Sequence, residues 1–150
     1  MSKATQDIAE FSADELDAAD TAEMIVSVGG KPTTWRWTFA GPGHQQSVAQ
    51  AERMARERLS ADHAKEQAQV NGRKWKAPDE SPDEVRARNI KWIVERLVGW
   101  SPVKIGGEML EFSPDAAIRL LSDPRKSDLL GQCLEFLSAE ASFTKRSATA

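Results

Sequence analysis

The residues with the most reactive side chains are few and far apart. The chain has one cysteine, Cys133, and two histidines, His44 and His63. A catalytic thiol needs a histidine within hydrogen-bond reach as its base, and nothing in the sequence brings either histidine to the cysteine. Cys133 falls in an apolar helical pattern, which predicts a buried thiol that acts as a small hydrophobic residue. We expect His44 in an exposed loop and His63 on a solvated helix face.

Two other patterns fall short of a binding site. Asp14, Glu15 and Asp17 carry carboxylates that bind cations, but the twelve-residue calcium loop is missing. Gly41-Pro42-Gly43 is too short to cradle a phosphate group and predicts a strand-to-helix turn. The sequence also has no zinc-ligand cluster and no nucleophile elbow. We therefore predict a protein that is not an enzyme, with no catalytic residues, no metal site and no cofactor.

Charge and hydropathy narrow the class of partner. The net charge of -3 disfavours a dedicated nucleic-acid-binding protein, because such proteins neutralise phosphates. The first 23 residues hold seven acids against Lys3, whereas residues 45–76 are rich in bases. This asymmetry indicates either a partner surface or a solvated helix face. No apolar run approaches the roughly 20 residues that span a bilayer, and the acidic start has no signal-peptide pattern. We expect no membrane contact and a location in the cytoplasm where the protein is made.

A first hairpin is predicted between Glu23 and Ala40. Met24, Val26 and Val28 alternate along its first strand, and Gly29-Gly30-Lys31-Pro32 supplies the turn. The second strand has an aromatic face formed by Trp35, Trp37 and Phe39. This face is explained either by packing against the C-terminal helices or by an exposed patch for a partner.

A second hairpin is predicted around Gly106-Gly107. If Ile105 pairs with Glu108, Val103 lies opposite Leu110. Before it, an apolar stripe at helical spacing predicts a buried helix face, with Gly99 as a left-handed C-cap. The stripe consists of Ile90, Ile93, Val94 and Leu97.

Residues 45–69 predict a long, charged helix. Its apolar stripe is thin and consists of Val48, Ala51, Ala55 and Leu59. Such a helix buries little surface by itself, so it either projects from the body or packs against a second subunit. These four residues are therefore candidate partner-binding positions, and self-association is a candidate role.

Three later helices have clear start signals. Ser81-Pro82, Ser113-Pro114 and Asp123-Pro124 each place a capping side chain before a proline at the first helical position. The last of these helices is expected to run from Arg125 to about Ser142. Its wide apolar face is predicted to be central to the core, and it comprises Leu129, Leu130, Cys133, Leu134, Phe136 and Leu137.

Trp75 is the last candidate partner-binding residue. It lies in the basic run Arg73-Lys74-Trp75-Lys76, within a linker. It could anchor a partner segment, stack on single-stranded nucleic acid or hold the linker against the body. The sequence leaves these three interpretations open.

Together these elements predict an α+β fold. It has a mainly helical C-terminal part, two small β-hairpins and the long charged helix. Residues 1–21 are predicted to be a weakly ordered acidic N-terminus with a short helix starting at Ala13. Residues 22–142 form a single α+β domain, and residues 143–150 form a flexible tail.

Several motifs resemble those of small tail-assembly proteins of long-tailed phages and prophages. They are Trp35-Arg36-Trp37-Thr38-Phe39-Ala40-Gly41-Pro42, Asn71-Gly72-Arg73-Lys74-Trp75, Val98-Gly99-Trp100-Ser101, Phe112-Ser113-Pro114 and Phe143-Thr144-Lys145-Arg146-Ser147. The resemblance covers residues 25–149, and genes for such proteins typically lie between the tail tube gene and the tape measure gene.

The resemblance implies a tail assembly chaperone. Such a protein coats the tape measure protein, helps to recruit tail tube subunits and has no catalytic residues. Two alternatives remain. One is a minor tail or head-tail completion protein retained in the virion, and the other is a small nucleic-acid-binding regulator that uses residues 53–76.

Overall fold

A computed structural model describes residues 8–139 and Phe143. These residues form, in chain order, β1 (Thr21–Val28), β2 (Lys31–Ala40), α1 (Gln45–Val70), α2 (Pro82–Arg96), β3 (Leu97–Trp100), β4 (Lys104–Ile105), β5 (Glu108–Met109), α3 (Pro114–Ser122) and α4 (Ser127–Ser138). Short 3-10 turns lie at Ala13–Leu16 and Pro124–Lys126. The described part is 53% helix and 20% strand, which confirms the predicted α+β class.

The first hairpin provides two strands of a three-stranded antiparallel sheet, in which β2 is the central strand. β2 pairs with β1 on one side and with β3 on the other. The turn between β1 and β2 is made by Gly29 and Gly30, whose φ angles are 60° and 78°. Glycine adopts these angles without the steric cost of a Cβ atom. The predicted glycine turn between the two strands is therefore confirmed.

The predicted alternation along β1 holds for only part of the strand. Met24 and Val26 are buried, but Val28 is exposed. The pairing register shifts after Ile25, where the Thr33 hydroxyl donates a hydrogen bond to the Val26 carbonyl at 2.7 Å. Val28 lies beyond this irregularity and does not join the core.

The aromatic face of β2 is core. Trp37 and Phe39 are fully buried, and Trp35 is half-buried. Trp35 meets Trp37 edge-on, with ring centroids 5.4 Å apart, and Trp100 of β3 lies 5.1 Å from Trp37. Of the two interpretations of this face, the structure supports core packing.

Helices α2, α3 and α4 cover the aromatic face. Ile90, Ile93 and Leu97 are buried as predicted, whereas Val94 is half-buried at the surface of α2. The buried side chains of α4 are Leu129, Leu130, Cys133 and Leu137. The other two residues predicted for that face, Leu134 and Phe136, are only partly buried.

Gly99 is not the helix C-cap that the sequence predicts. Helix α2 ends at Arg96, and Gly99 lies in β3 opposite Thr38 of β2. No positive φ occurs at Gly99. The prediction was wrong because hydrogen bonds from a distant strand, β2, convert the residues after the helix directly into a strand.

The start and the end of α4 also differ from the prediction. Asp123 caps a 3-10 turn, and α4 itself begins at Ser127. The helix ends at Ser138, because Ala139 has an extended backbone conformation (ψ 114°). The predicted end at Ser142 is therefore wrong, and residues 140–142 lie outside the described part.

The second hairpin forms in the predicted register. Ile105 pairs with Glu108, and the Leu110 N–H donates to the Val103 carbonyl at 3.0 Å. The Trp100 indole N–H donates to the Leu110 carbonyl at 3.1 Å, which holds the hairpin against the sheet.

A residue near each end of the described chain joins the core. The Ala19 N–H donates to the Phe143 carbonyl at 2.8 Å, and both residues are buried. The predicted boundaries, with the domain starting at residue 22 and Phe143 in a flexible tail, are therefore too narrow. The short helix predicted at Ala13 exists as a 3-10 turn, without a side-chain cap from Ser12. Residues 144–150 lie outside the described part.

Candidate partner-binding site

An apolar groove runs between α2 and α3. Its volume is about 580 Å³. Two of its apolar side chains are exposed to solvent: Val98 is 37% and Ile118 is 41% exposed. The groove is lined by Gln46, Ala87, Ile90, Lys91, Val94, Glu95, Leu97, Val98, Phe112, Pro114, Ile118 and Ser122.

The groove follows from the way each helix begins and packs. The hydroxyl groups of Ser81 and Ser113 accept hydrogen bonds from the backbone N–H groups of Glu84 and Ala116, at 3.2 and 3.0 Å. These caps fix where α2 and α3 start. Because α3 buries its Ala117 and Leu121 against the core, the Ile118 side chain is left on the outside.

Arg86 fixes the spacing of the two groove walls. Its guanidinium donates to the carbonyls of Leu121 and Asp123 at the C-terminal end of α3, each at 3.3 Å. Carbonyl groups at a helix end have no partner within the helix, so a cation from the neighbouring helix satisfies them. This contact ties the C-terminal end of α3 to α2.

An aromatic contact supports the floor. Phe112 lines the groove and meets Trp100 edge-on, with ring centroids 5.0 Å apart. Trp100 in turn packs against the buried Trp37. The floor is therefore continuous with the core of the sheet, which makes the groove a preformed feature of the fold.

Helix α1 is attached to the body by polar side chains. The Gln46 side-chain amide donates to the carbonyls of Glu95 and Leu97 at 3.0 and 3.2 Å. Gln50 is buried and donates to the Trp92 carbonyl at 2.8 Å. Most of the acceptors are carbonyls at the C-terminal end of α2 that need partners from outside the helix.

An ion pair completes this attachment. The Arg53 guanidinium contacts both carboxylate oxygens of Glu95, at 2.7 and 2.5 Å. The hydrogen bond that Arg53 donates to Glu95 is the main reason that the pKa of Arg53 is raised above its ordinary value. Glu95 of α2 also lines the groove. The same carboxylate therefore binds α1 and borders the groove.

The predicted stripe of α1 lies on its outer face. At 100° per residue, this stripe points away from the side that holds Gln46, Gln50 and Arg53. Val48 is 46% and Leu59 is 69% exposed. The remaining stripe residues, Ala51 and Ala55, are also exposed. The structure thus places these four candidates together on one surface.

Trp75 lies apart from the groove. The Lys65 ammonium sits 5.4 Å from the centroid of its ring, so the linker after α1 folds back along the helix. Gly72, with a φ of 69°, makes this reversal possible. The Arg73 N–H donates to the Ala68 carbonyl and the Gly72 N–H to the Gln69 carbonyl, which is the Schellman arrangement of a helix end.

The histidine and the glycine next to the start of α1 have structural roles. His44 is the N-cap of α1, where its Nδ1 accepts a hydrogen bond from the Gln46 N–H at 3.1 Å, so the expected exposed loop position is wrong. A Cβ atom at Gly41 would lie 2.0 Å from the Ala19 carbonyl oxygen. Glycine at this position therefore allows the close approach of the two backbones.

The reactive residues do not converge within residues 8–139 and Phe143. Cys133 is fully buried, and burial raises the pKa of its thiol to about 12. In the same residues, no group of three or more histidine, cysteine or acidic side chains could hold a metal ion. No helix in the described part is long and apolar enough to cross a membrane.

Comparison with protein-family models, curated proteins and solved structures gave no match.

The groove is the feature that sequence reasoning missed. Its residues come from four separate elements and from the loop that holds Phe112, and Ile90, Val94 and Leu97 also fit the predicted core-facing stripe. One signal was available: Ile118 is the apolar residue of α3 that falls off the face defined by Ala117 and Leu121.

Proposed function

We propose that this protein is a non-enzymatic tail assembly chaperone that acts in the host cytoplasm. It binds the tape measure protein before the tail tube forms and presents it to tail tube subunits. The support from sequence is the resemblance across residues 25–149. The support from structure is the open apolar groove between α2 and α3.

The groove carries the proposal because it suits an amphipathic helix. A tape measure protein is a long, mainly helical chain with apolar faces that water disfavours. Helix-in-groove recognition places apolar side chains spaced by three and four residues into such a groove. Val94, Val98 and Ile118 supply the apolar surface, and Lys91 and Glu95 supply charges at its edge.

The test is co-expression with the cognate tape measure protein. We expect the wild-type chain to keep that protein soluble and to co-purify with it. A chain with Val98→Asp and Ile118→Asp should lose most of the captured protein, because two carboxylates in the groove oppose burial of an apolar helix face. Both positions are exposed, so circular dichroism should be unchanged.

A matched control carries Val28→Asp and Val70→Asp. These residues are also exposed valines, but they lie outside the groove, so capture should stay at the wild-type level. A third chain carries Val48→Asp and Leu59→Asp and measures the contribution that the sequence predicts for the α1 stripe.

Two results would contradict the proposal. One is a tape measure protein that stays insoluble with this chain in excess. The other is equal capture by the groove variant and its control. If purified particles contained stoichiometric copies of the chain, the function would instead be that of a structural virion protein.

A further inference from the structure

We infer that two copies of this chain associate through antiparallel α1 helices, with the acidic N-terminal segment of each copy on the basic linker of the other. This inference does not rest on the proposed function. It starts from two segments of opposite charge. Residues 8–23 hold six acids and no lysine or arginine, and residues 73–76 hold three bases.

The linker is available for contact, and the acids of the segment are exposed. Arg73, Lys74 and Lys76 are exposed and take part in no ion pair of the described part of the chain. Each segment also carries exposed apolar surface next to its charges. In the acidic segment this surface is Phe11 and Leu16, and in the linker it is Trp75.

Three acids of the segment, Glu15, Asp17 and Asp20, lie too far from the linker of the same copy to meet it. The acidic segment leaves the body beside the start of α1, because the Gly41 N–H donates to the Asp20 carbonyl at 2.7 Å. Trp75 lies beside Lys65, which is roughly 30 Å along the helix from Gln45 at ~1.5 Å per residue.

The chain between Asp20 and these acids cannot bridge that length. Even a fully extended chain from Asp20 back to Glu15 spans only about 17 Å, and the 3-10 turn at Ala13–Leu16 shortens it further. Contact of these three acids with the linker therefore requires a second copy.

An antiparallel pair of α1 helices brings the charges together. If Val48 of one protomer faces Leu59 of its partner, Gln45 of the first lies beside Asp62 of the second, close to the partner's Lys65. The acidic segment then begins next to the oppositely charged linker. The arrangement is two-fold symmetric, so the same contact occurs twice, as in most homodimers.

The same register buries the exposed stripe of α1. Val48, Ala51, Ala55 and Leu59 point away from the body, so no other described element covers them. On the flank of the stripe, Glu52 and Arg56 form an ion pair within each helix at 3.6 Å. In the pair, Glu52 of one protomer comes beside Arg56 of the other, which adds attraction across the interface.

The first test is the mass of the full-length protein by sedimentation equilibrium over a range of concentrations. We expect a dimer that weakens in about 0.5 M salt, because exposed charges are screened there. A chain with Glu15→Lys, Asp17→Lys and Asp20→Lys should dissociate about tenfold more readily, and so should one with Arg73→Glu, Lys74→Glu and Lys76→Glu. Combining both sets in one chain should restore the dimer.

The stripe is tested by Val48→Asp with Leu59→Asp, which should give a monomer. The control, Ala61→Asp with Ala64→Asp, places the same charges on the opposite, exposed face of the helix and should remain dimeric. Circular dichroism checks that each chain is folded.

Disulfide crosslinking tests the direction of the helices. A mixture of chains with Val48→Cys and chains with Leu59→Cys should crosslink on mild oxidation, since a disulfide needs Cα atoms within about 7 Å. Either chain alone should crosslink poorly, because equal positions lie roughly 16 Å apart in this register. Cys133 is fully buried and does not compete.

Three results would overturn the inference. The first is a monomer at every concentration. The second is crosslinking of Val48→Cys chains with each other as fast as the mixture, which indicates parallel helices. The third is salt-sensitive binding of RNA or DNA that depends on Arg73, Lys74 and Lys76 while the reversed charges leave self-association unchanged.

Discussion

At the residue scale, burial separates side chains that look alike in the sequence. Ile93 of α2 and Leu134 of α4 both lie on predicted core faces. Ile93 is fully buried beneath the aromatic face of β2, whereas Leu134 is half-buried beside Arg53 and Met54 of α1. Only Ile93 is enclosed by packed neighbours, so only its truncation leaves a cavity in the core.

The first prediction therefore ranks two alanine substitutions. Ile93→Ala should lower the free energy of unfolding by about 2–5 kcal/mol, because it leaves a cavity in a packed core. Leu134→Ala should cost clearly less, since part of its surface already faces water. Urea melts of the two variants measure the difference, and an equal or larger loss for Leu134→Ala would show that the core lies nearer to α1.

At the scale of elements, side chains act at junctions between helices and strands. Asp123 joins α3 to the turn before α4. Its carboxylate accepts hydrogen bonds from the Arg125 guanidinium at 3.1 Å and from the Lys126 ammonium at 2.6 Å. These bonds, led by that from Arg125, lower the pKa of Asp123 well below its ordinary value of 3.8.

The second prediction concerns pH. A carboxyl group with a lowered pKa in the folded state stabilises the fold above its unfolded pKa and loses that contribution as the pH falls. Asp123→Asn should therefore be less stable than wild type at about pH 6, and the gap should narrow as the pH falls below about 4. Urea melts at several pH values measure the gap. A constant gap would mean that the carboxylate has no special role.

The junction between α1 and the body is also polar. Gln50 is buried and donates to the end of α2, while Arg96 donates to the Ala40 carbonyl at 2.5 Å. Burial lowers the pKa of Arg96. These directed bonds fix how α1 leaves the body, and therefore where its outer stripe points.

At the scale of the whole molecule, Phe143 meets the segment that precedes β1. Phe143 lies under the Arg96 guanidinium, whose carbon is 5.0 Å from the ring centroid. Its ring also meets Phe136 edge-on, with centroids 5.8 Å apart. Together with its bond to Ala19, Phe143 joins the N-terminal segment to α2 and α4.

The third prediction tests this closure. Phe143→Ala should lower the free energy of unfolding by about 3–5 kcal/mol, as for other buried aromatic residues. Phe11→Ala is the matched control, because Phe11 is exposed, and should change stability little. Equal effects of the two substitutions in urea melts would remove Phe143 from the core.

Much of the local structure could be read from the sequence. The serine caps with their prolines located the starts of α2 and α3, and paired glycines located both hairpin turns. The alternation of Trp35, Trp37 and Phe39 identified a strand. Each of these features depends on residues within a few positions of one another, so the sequence alone carries the physical cause.

What only the tertiary structure decided depends on partners far away in the chain. Gly99 became part of a strand because β2 lies beside it, and Phe143 became core because α4 returns it to Ala19. The attachment of α1 by Gln46 and Gln50 depends on carbonyl groups at the end of α2. The groove exists because α3 packs against α2 with Ile118 outward. Such contacts have no local signature, since each needs acceptors or surfaces that folding brings together.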